Sequence, residues 1–167
     1  MATVSEILYN INKGILPKDA FIVIVRTQWN PVTVDKLLEG CIRILEEYGL
    51  NNYKVVTVPG AFEIPFAIKS FWENHKDNSD SANKPEAFIA LGCVLRGGTP
   101  HFEYVSRAVT DGILQLNLML PVPTIFGILT LDNQQQADER TGGVHGHKGE
   151  EAALSALKMI ELKYAIS

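Results

Sequence analysis

The chain has 167 residues, 46% hydrophobic and 20% charged, with a formal net charge of −4, which is enough for one soluble domain with a substantial core. That balance offers no basic footprint for nucleic acid, and the longest apolar runs fall far short of the ~20 residues of a membrane span. The start, "MATVSEILYNINKG", lacks a basic stretch followed by an apolar block, and the two cysteines, Cys41 and Cys93, form no disulfide framework, so a cytoplasmic setting is expected.

Residues 1–18 read as an N-terminal arm and residues 19–167 as a single domain. "FIVIVR", from Phe21, is a continuous apolar run of the kind found in a strand covered on both faces. After it, Asn30 is placed to cap a helix and Pro31 to occupy its first position. Val34, Leu37, Leu38, Cys41, Ile42 and Leu45 then form an apolar stripe that ends at Gly49. "YKVVTV" is a second strand, stopped by Pro59-Gly60, and residues 63–73 read as a helix with Ile64, Ala67, Ile68 and Phe71 on one face. The polar segment 74–86 reads as an exposed loop. "AFIALGCVL" is a third strand, "HFEYVSRAVTDGILQLNLML" a long helix and "VPTIFGILT" a fourth strand. A short polar helix over 133–141, a glycine- and histidine-rich loop and a helix over 150–164 complete the chain. Both cysteines fall inside elements and read as small buried apolar residues.

Strand–helix alternation of this kind predicts an α/β fold: a three-layer αβα sandwich with a four-stranded parallel sheet, flavodoxin-like and doubly wound. In such sheets ligands bind beyond the carboxyl ends of the strands. Function is therefore sought in "TQWN", "VPGAFE", "CVLRGGTPH" and "FGILTLDN".

The third of these is the most informative. "GCVLRGGT" approaches the nucleotide phosphate loop, but Gly98 stands where that loop needs lysine, and "CVL" belongs to the strand. A smaller anion cradle fits better. Gly98 and Thr99 stand at the start of a helix, where free N–H groups and the dipole favour negative charge, and His101 follows directly. From this stretch alone a plain turn with a surface histidine is an equal reading. The other candidates are similarly open. Trp29 suits stacking on a flat heterocycle or packing. Glu63 suits binding hydroxyls or starting a helix. Arg140 and Lys148 suit a ligand or a solvated surface. His145 and His147 in "HGH" are two ligands short of a zinc site, so no metal is expected.

Taken together, "VPGAFEIP", "LGCVLRGGTPHFEYV", "PTIFGILT" and "QADERTGG…HKGEEAA" resemble the successive signatures of the lumazine synthase family, the 6,7-dimethyl-8-ribityllumazine synthases of riboflavin biosynthesis. The resemblance runs from about Phe21 to the C-terminus. It implies a transferase that condenses 5-amino-6-(D-ribitylamino)uracil with 3,4-dihydroxy-2-butanone 4-phosphate, releasing phosphate and water, with no cofactor. It also implies a homo-oligomer, either a pentamer or an assembly of pentamers.

By that resemblance Gly98 and Thr99 hold the sugar phosphate, paired with Arg140, whose planar fork suits a phosphate. Arg140, Lys148 and Phe126 are implied to come from the neighbouring subunit. Trp29 and Asn30 match the segment that stacks on the pyrimidine. Ala61, Phe62 and Glu63 match the ribityl-binding segment, Cys93, Val94 and Leu95 the strand end that reads the pyrimidine edge, and His101 the proton-transfer residue. Two features depart from the family pattern, the polar insertion at 77–84 and the histidines before Lys148. The rival readings are an archaeal-type riboflavin synthase, a non-catalytic carrier of flavin precursors and a structural shell protein.

Overall fold

The computed structural model describes residues 10–167. Residues 1–9 of the expected arm lie outside the described residues. Ile11 and Leu16 are buried against the core, and the Asn12 N–H donates to Glu161 Oε1 at 2.9 Å, so residues 10–18 lie along the domain.

Four strands, β1 (Phe21–Thr27), β2 (Tyr53–Val58), β3 (Pro85–Leu95) and β4 (Thr124–Leu131), form one parallel sheet in the order β2-β1-β3-β4. The connecting helices are α1 (Pro31–Glu47), α2 (Ile64–His75), α3 (His101–Met119), the short α4 (Gln134–Glu139) and the C-terminal α5 (Lys148–Ala165). This is the expected doubly wound, flavodoxin-like three-layer architecture.

The sheet explains the unbroken apolar runs. Alternate residues of β1 and β3 enter two separate cores, and neither face is left to water. Ile22, Ile24, Ile89 and Leu91 meet α1 and α5 through Leu37, Cys41, Leu154 and Leu157. Val23, Val25, Phe88 and Ala90 meet α2 and α3 through Ile64, Ile68, Val109 and Ile113. α1 ends as its glycine predicts: Gly49 has φ 79°, the Gly49 N–H donates to Glu46 O at 2.9 Å and the Leu50 N–H to Leu45 O at 2.9 Å, the paired bonds of a Schellman motif.

The strand order places the site. The chain leaves β1 for β2 on one side, then returns across β1 to β3, so the winding reverses between β1 and β3. A crevice opens at the carboxyl ends of strands where that reversal occurs. The segments after β1 and β3 flank it.

Several boundaries differ from the sequence expectation. Segment 74–86 is not one loop: residues 74–75 finish α2, Ser81–Asn83 form a 3₁₀ turn capped by Asp80, and Pro85 and Glu86 open β3. The polar insertion is tied to the amino ends of the strands, with Asn52 Nδ2 donating to Ala82 O at 2.8 Å and Ser81 Oγ to Asp19 Oδ2 at 2.8 Å. It therefore stands at the opposite end of the sheet from the crevice. The glycine- and histidine-rich loop is a small antiparallel hairpin of β5 (Thr141–Gly143) and β6 (Gly146–His147), and α5 begins two residues early, at Lys148.

Candidate functional site

Two adjoining cavities, of about 410 and 170 Å³, lie at the carboxyl ends of β1, β2 and β3. Both are walled by Trp29, Gly60, Ala61, His101 and Val105. The larger adds Phe62 and Glu63, and the smaller adds Asn30, Cys93, Val94, Leu95, Gly97 and Thr99. Nearly all residues singled out after the first three strands thus converge on one crevice.

Trp29 is 67% exposed, which separates its two readings: the ring is not packed in the core but stands open at the cavity. Its backbone is fixed, because the Trp29 N–H donates to Pro59 O at 3.3 Å and its carbonyl accepts from Thr27 Oγ1 at 3.3 Å. A rigid main chain carrying an exposed indole suits stacking against a planar ring.

Asn30 corrects the helix-capping expectation. Its side chain makes no cap hydrogen bond, and the residue adopts φ 57°, ψ 52°, the only positive φ at a non-glycine among the described residues. The Nδ2 amide instead donates to the Cys93 carbonyl at 2.8 Å, a tie from the exit of β1 to the exit of β3 across the winding reversal. Asparagine tolerates the left-handed region better than most residues, and this bond gives the strained conformation a use.

Ala61, Phe62 and Glu63 form a 3₁₀ turn ahead of α2. Glu63 Oε2 accepts from the Gly60 N–H at 3.0 Å, which orients the carboxylate at the cavity wall. The carboxylate both starts a helical segment and walls the crevice. Cys93 is buried, and desolvation pushes its thiol up to about 11. A thiol so raised is protonated at neutral pH and has no nucleophilic role there.

The glycine corner differs in detail from its expected form. α3 starts at His101, with Pro100 in the capping position and no side-chain cap, so Thr99 precedes the helix and does not cap it. Thr99 and Gly97 face the smaller cavity, with Gly98 between them. Neither glycine has a positive φ, and a Cβ built on either would meet nothing within 4 Å. The fold itself does not require glycine at these two positions. What they leave is unobstructed backbone.

Arg140 and Lys148 lie elsewhere. With His145, Glu139 and Gln136 they wall a third cavity, of about 460 Å³, beside the end of β4. It shares no lining residue with the other two. The Lys148 N–H donates to Arg140 O at 2.8 Å, so the hairpin closes the two cations into one unit. Lys148 Nζ pairs with the buried Glu151 at 3.2 Å. Among the described residues the Arg140 guanidinium has no ion-pair or hydrogen-bond partner. Phe126, on β4, is half-buried against the α2/α3 core and walls none of these cavities. One chain therefore does not bring Arg140, Lys148 and Phe126 to His101.

The two histidines of "HGH" diverge. His145 Nε2 lies 3.8 Å from Glu139 Oε2 in the third cavity, whereas His147 packs its ring against the backbone at Gly40 of α1. Burial pulls the His147 imidazole below its ordinary range. Among the described residues no three His, Cys, Asp or Glu side chains gather in a metal-binding arrangement, and no helix is long and apolar enough to cross a membrane.

Sequence reasoning gave Arg96 no role. It stands between β3 and the two glycines, beside the smaller cavity's Gly97, and bridges Asp132 and Glu103; its only signal was a cation directly before Gly-Gly.

A doubly wound parallel sheet with an aromatic, an acid and a histidine around the crevice at its winding reversal defines a small-molecule α/β protein of flavodoxin-like fold. Residues 19–164 match the family described as 6,7-dimethyl-8-ribityllumazine synthase. The chain is 44% identical to the 6,7-dimethyl-8-ribityllumazine synthase of Parabacteroides distasonis over 96% of this chain and 98% of that one. It is 45% identical to the enzyme of Porphyromonas gingivalis over 87% of each, and 38% identical to that of Flavobacterium psychrophilum over 98% of this chain and 84% of that one. The chain belongs to the 6,7-dimethyl-8-ribityllumazine synthase family and is an enzyme of that kind, a transferase of riboflavin biosynthesis.

Proposed function

We propose that the chain condenses 5-amino-6-(D-ribitylamino)uracil with 3,4-dihydroxy-2-butanone 4-phosphate to 6,7-dimethyl-8-ribityllumazine, releasing phosphate and water, in the cytoplasm. The observation that carries this reading is the convergence of Trp29, Glu63, Thr99 and His101 on one crevice in a chain of this family. Trp29 stacks on the pyrimidine, with Asn30 holding its segment against β3. The exits at Cys93, Val94 and Leu95 present backbone groups to the pyrimidine edge. Ala61 and Phe62 border the ribityl chain, and Glu63 accepts from its hydroxyls. Unobstructed amides at Gly98 and Thr99 take the phosphate.

His101 relays protons. Imine formation takes a proton from the attacking amine and delivers one to the departing hydroxyl. Phosphate elimination and ring closure each move a further proton, and an imidazole within reach serves all three. Holding both substrates in one crevice supplies much of the acceleration, because the bimolecular encounter becomes intramolecular.

The phosphate still needs a cation, and the free Arg140 in a separate cavity argues for one supplied across an interface. Lys148 and Phe126 join it there. α3 turns Tyr104, Leu114 and Leu118 outward, with the exposed pair Arg107–Asp111 between them on the same face, a mixed surface that a second copy buries. The assembly is a homopentamer or a shell of pentamers. Purified protein incubated with both substrates yields lumazine absorbance and inorganic phosphate in equal amounts, and light scattering on the same sample gives its size. Phosphate release without lumazine contradicts the assignment, and a monomer contradicts the shared site.

A further inference from the structure

The glycine corner has little of its own to hold it still. Gly97 and Gly98 carry no side chains, nothing packs where a Cβ would stand, and glycine has the most backbone freedom to lose. Yet an anion cradle works only if its N–H groups already converge on the anion before it arrives. The residue at the corner's root provides the restraint. Arg96 Nε donates to Asp132 Oδ1 at 2.7 Å, beyond the end of β4, and Arg96 Nη1 donates to Glu103 Oε1 in the first turn of α3. The guanidinium lies 4.1 Å from the centre of the Phe102 ring, and the Arg96 N–H donates to Leu131 O at 2.8 Å. Arg96 holds the Glu103 carboxyl below the ordinary carboxylate range. The corner is thus strung between this clamp and Pro100.

We propose that Arg96 is a positioning residue for the phosphate-bearing substrate. Its fork fastens the exit of β4 to the start of α3, and so fixes the direction of the amides at Gly97, Gly98 and Thr99. This rests on the reading of that corner as the phosphate site. With both carboxylates satisfied, the guanidinium is engaged within the fold, and the phosphate draws its positive charge from Arg140. Exposed ion pairs contribute little to stability, so the clamp acts on the order of the loop and hardly on the melting temperature. Lysine cannot replace it, because a single ammonium lacks the planar fork that spans two carboxylates in fixed directions.

The test compares Arg96→Gln, Arg96→Lys and Asp132→Asn with the wild-type oligomer, using inorganic phosphate as a competitor and both substrates in steady state. Both Arg96 variants raise the inhibition constant of phosphate and the KM for the sugar phosphate roughly five- to tenfold, since ordering the loop is now charged to the binding step. KM for the ribitylaminopyrimidine stays within about twofold. Asp132→Asn gives part of that effect and adds nothing to Arg96→Gln in the double variant. The proposal is overturned if phosphate affinity is unchanged in Arg96→Gln, if Arg96→Lys retains wild-type affinity, which would make Arg96 a simple charge, or if both KM values rise together while the melting temperature falls. Should phosphate fail to compete in the wild type, the phosphate reading of the corner is lost and this proposal with it. An effect missing only in the variants leaves that reading intact.

Discussion

The crevice around Trp29 and the cavity around Arg140 both lie at the carboxyl ends of one sheet, yet they share no wall residue and differ in chemistry. The first is built by three segments that follow β1, β2 and β3, and it combines an exposed indole, small apolar walls, one carboxylate and one imidazole. The second is built by β4, α4, the hairpin turn and the start of α5, and it is dominated by Arg140, Lys148, His145 and Glu139. A pyrimidine bearing a polyol suits the first; an anionic group needs the second. Each holds what the other lacks, and a parallel sheet with β4 at its edge keeps them apart within a chain. On the proposed reading, the complete site forms where two copies of the chain meet.

The sharpest way to break this comparison is to remove the cation from the second cavity. Arg140→Ala is expected to lower kcat/KM on the order of 10³-fold, the loss of a bidentate phosphate contact, while leaving the melting temperature unchanged because the guanidinium has no partner among the described residues. Steady-state rates and calorimetry check it; a near wild-type enzyme sinks the placement of Arg140 at the phosphate.

His101→Ala acts on the first cavity and is expected to cost about 10²-fold in kcat, with smaller changes in KM, as removal of a general acid–base group does. Mixing the two variants sharpens the comparison further. If sites form between cavities of adjacent subunits, random co-assembly of equal amounts restores about a quarter of wild-type activity, since each interface independently draws the intact half from each partner. If both cavities act within one chain, mixing restores nothing.

A smaller effect is expected at Asn30. Asn30→Ala loses the 2.8 Å bond to Cys93 and places a residue with a Cβ and no local hydrogen bond at φ 57°, for a combined cost of about 1–2 kcal/mol in denaturant unfolding. Asn30→Gly relieves the backbone and is expected to recover part of that stability but little activity, because the tie across the crevice is still missing.

The smallest effect belongs to His147, which props the hairpin of the second cavity on α1. Burial lowers its folded pKa from an ordinary 6.5, while Glu150 and Glu151 oppose the shift and Arg43 reinforces it. The unfolded chain therefore binds the proton more readily, so the neutral imidazole contributes stability above pH 6.5 that is lost as pH falls below it. Melting temperatures measured at pH 7.5 and 5.5 should differ more in the wild type than in His147→Gln. Equal differences would remove His147 from the account.

Much of this was legible along the chain. Continuous apolar runs at β1 and β3, an amphipathic stripe in α1 and a glycine at its end are local signals, and local periodicity decides which faces are buried. The residues at the first three strand ends were likewise readable, because a parallel sheet brings consecutive carboxyl ends together. Lys148 is a boundary case: its spacing from Arg140 was visible, but the hairpin that joins them forms through β5–β6 pairing that two short glycine-rich segments do not announce.

What the sequence determined by itself was the set of elements, their alternation and the chemical types at the strand ends, because those follow from hydrophobic period and turn chemistry over a few residues. Only the tertiary structure decided that Asn30 holds β3 instead of capping α1, that Arg96 is held by carboxylates 7 and 36 residues away, and that Arg140 opens into a different cavity from His101. Such contacts join positions far apart in the chain, and they depend on which strands lie side by side. No local pattern encodes that adjacency; it is set when two apolar faces of one sheet are covered at once.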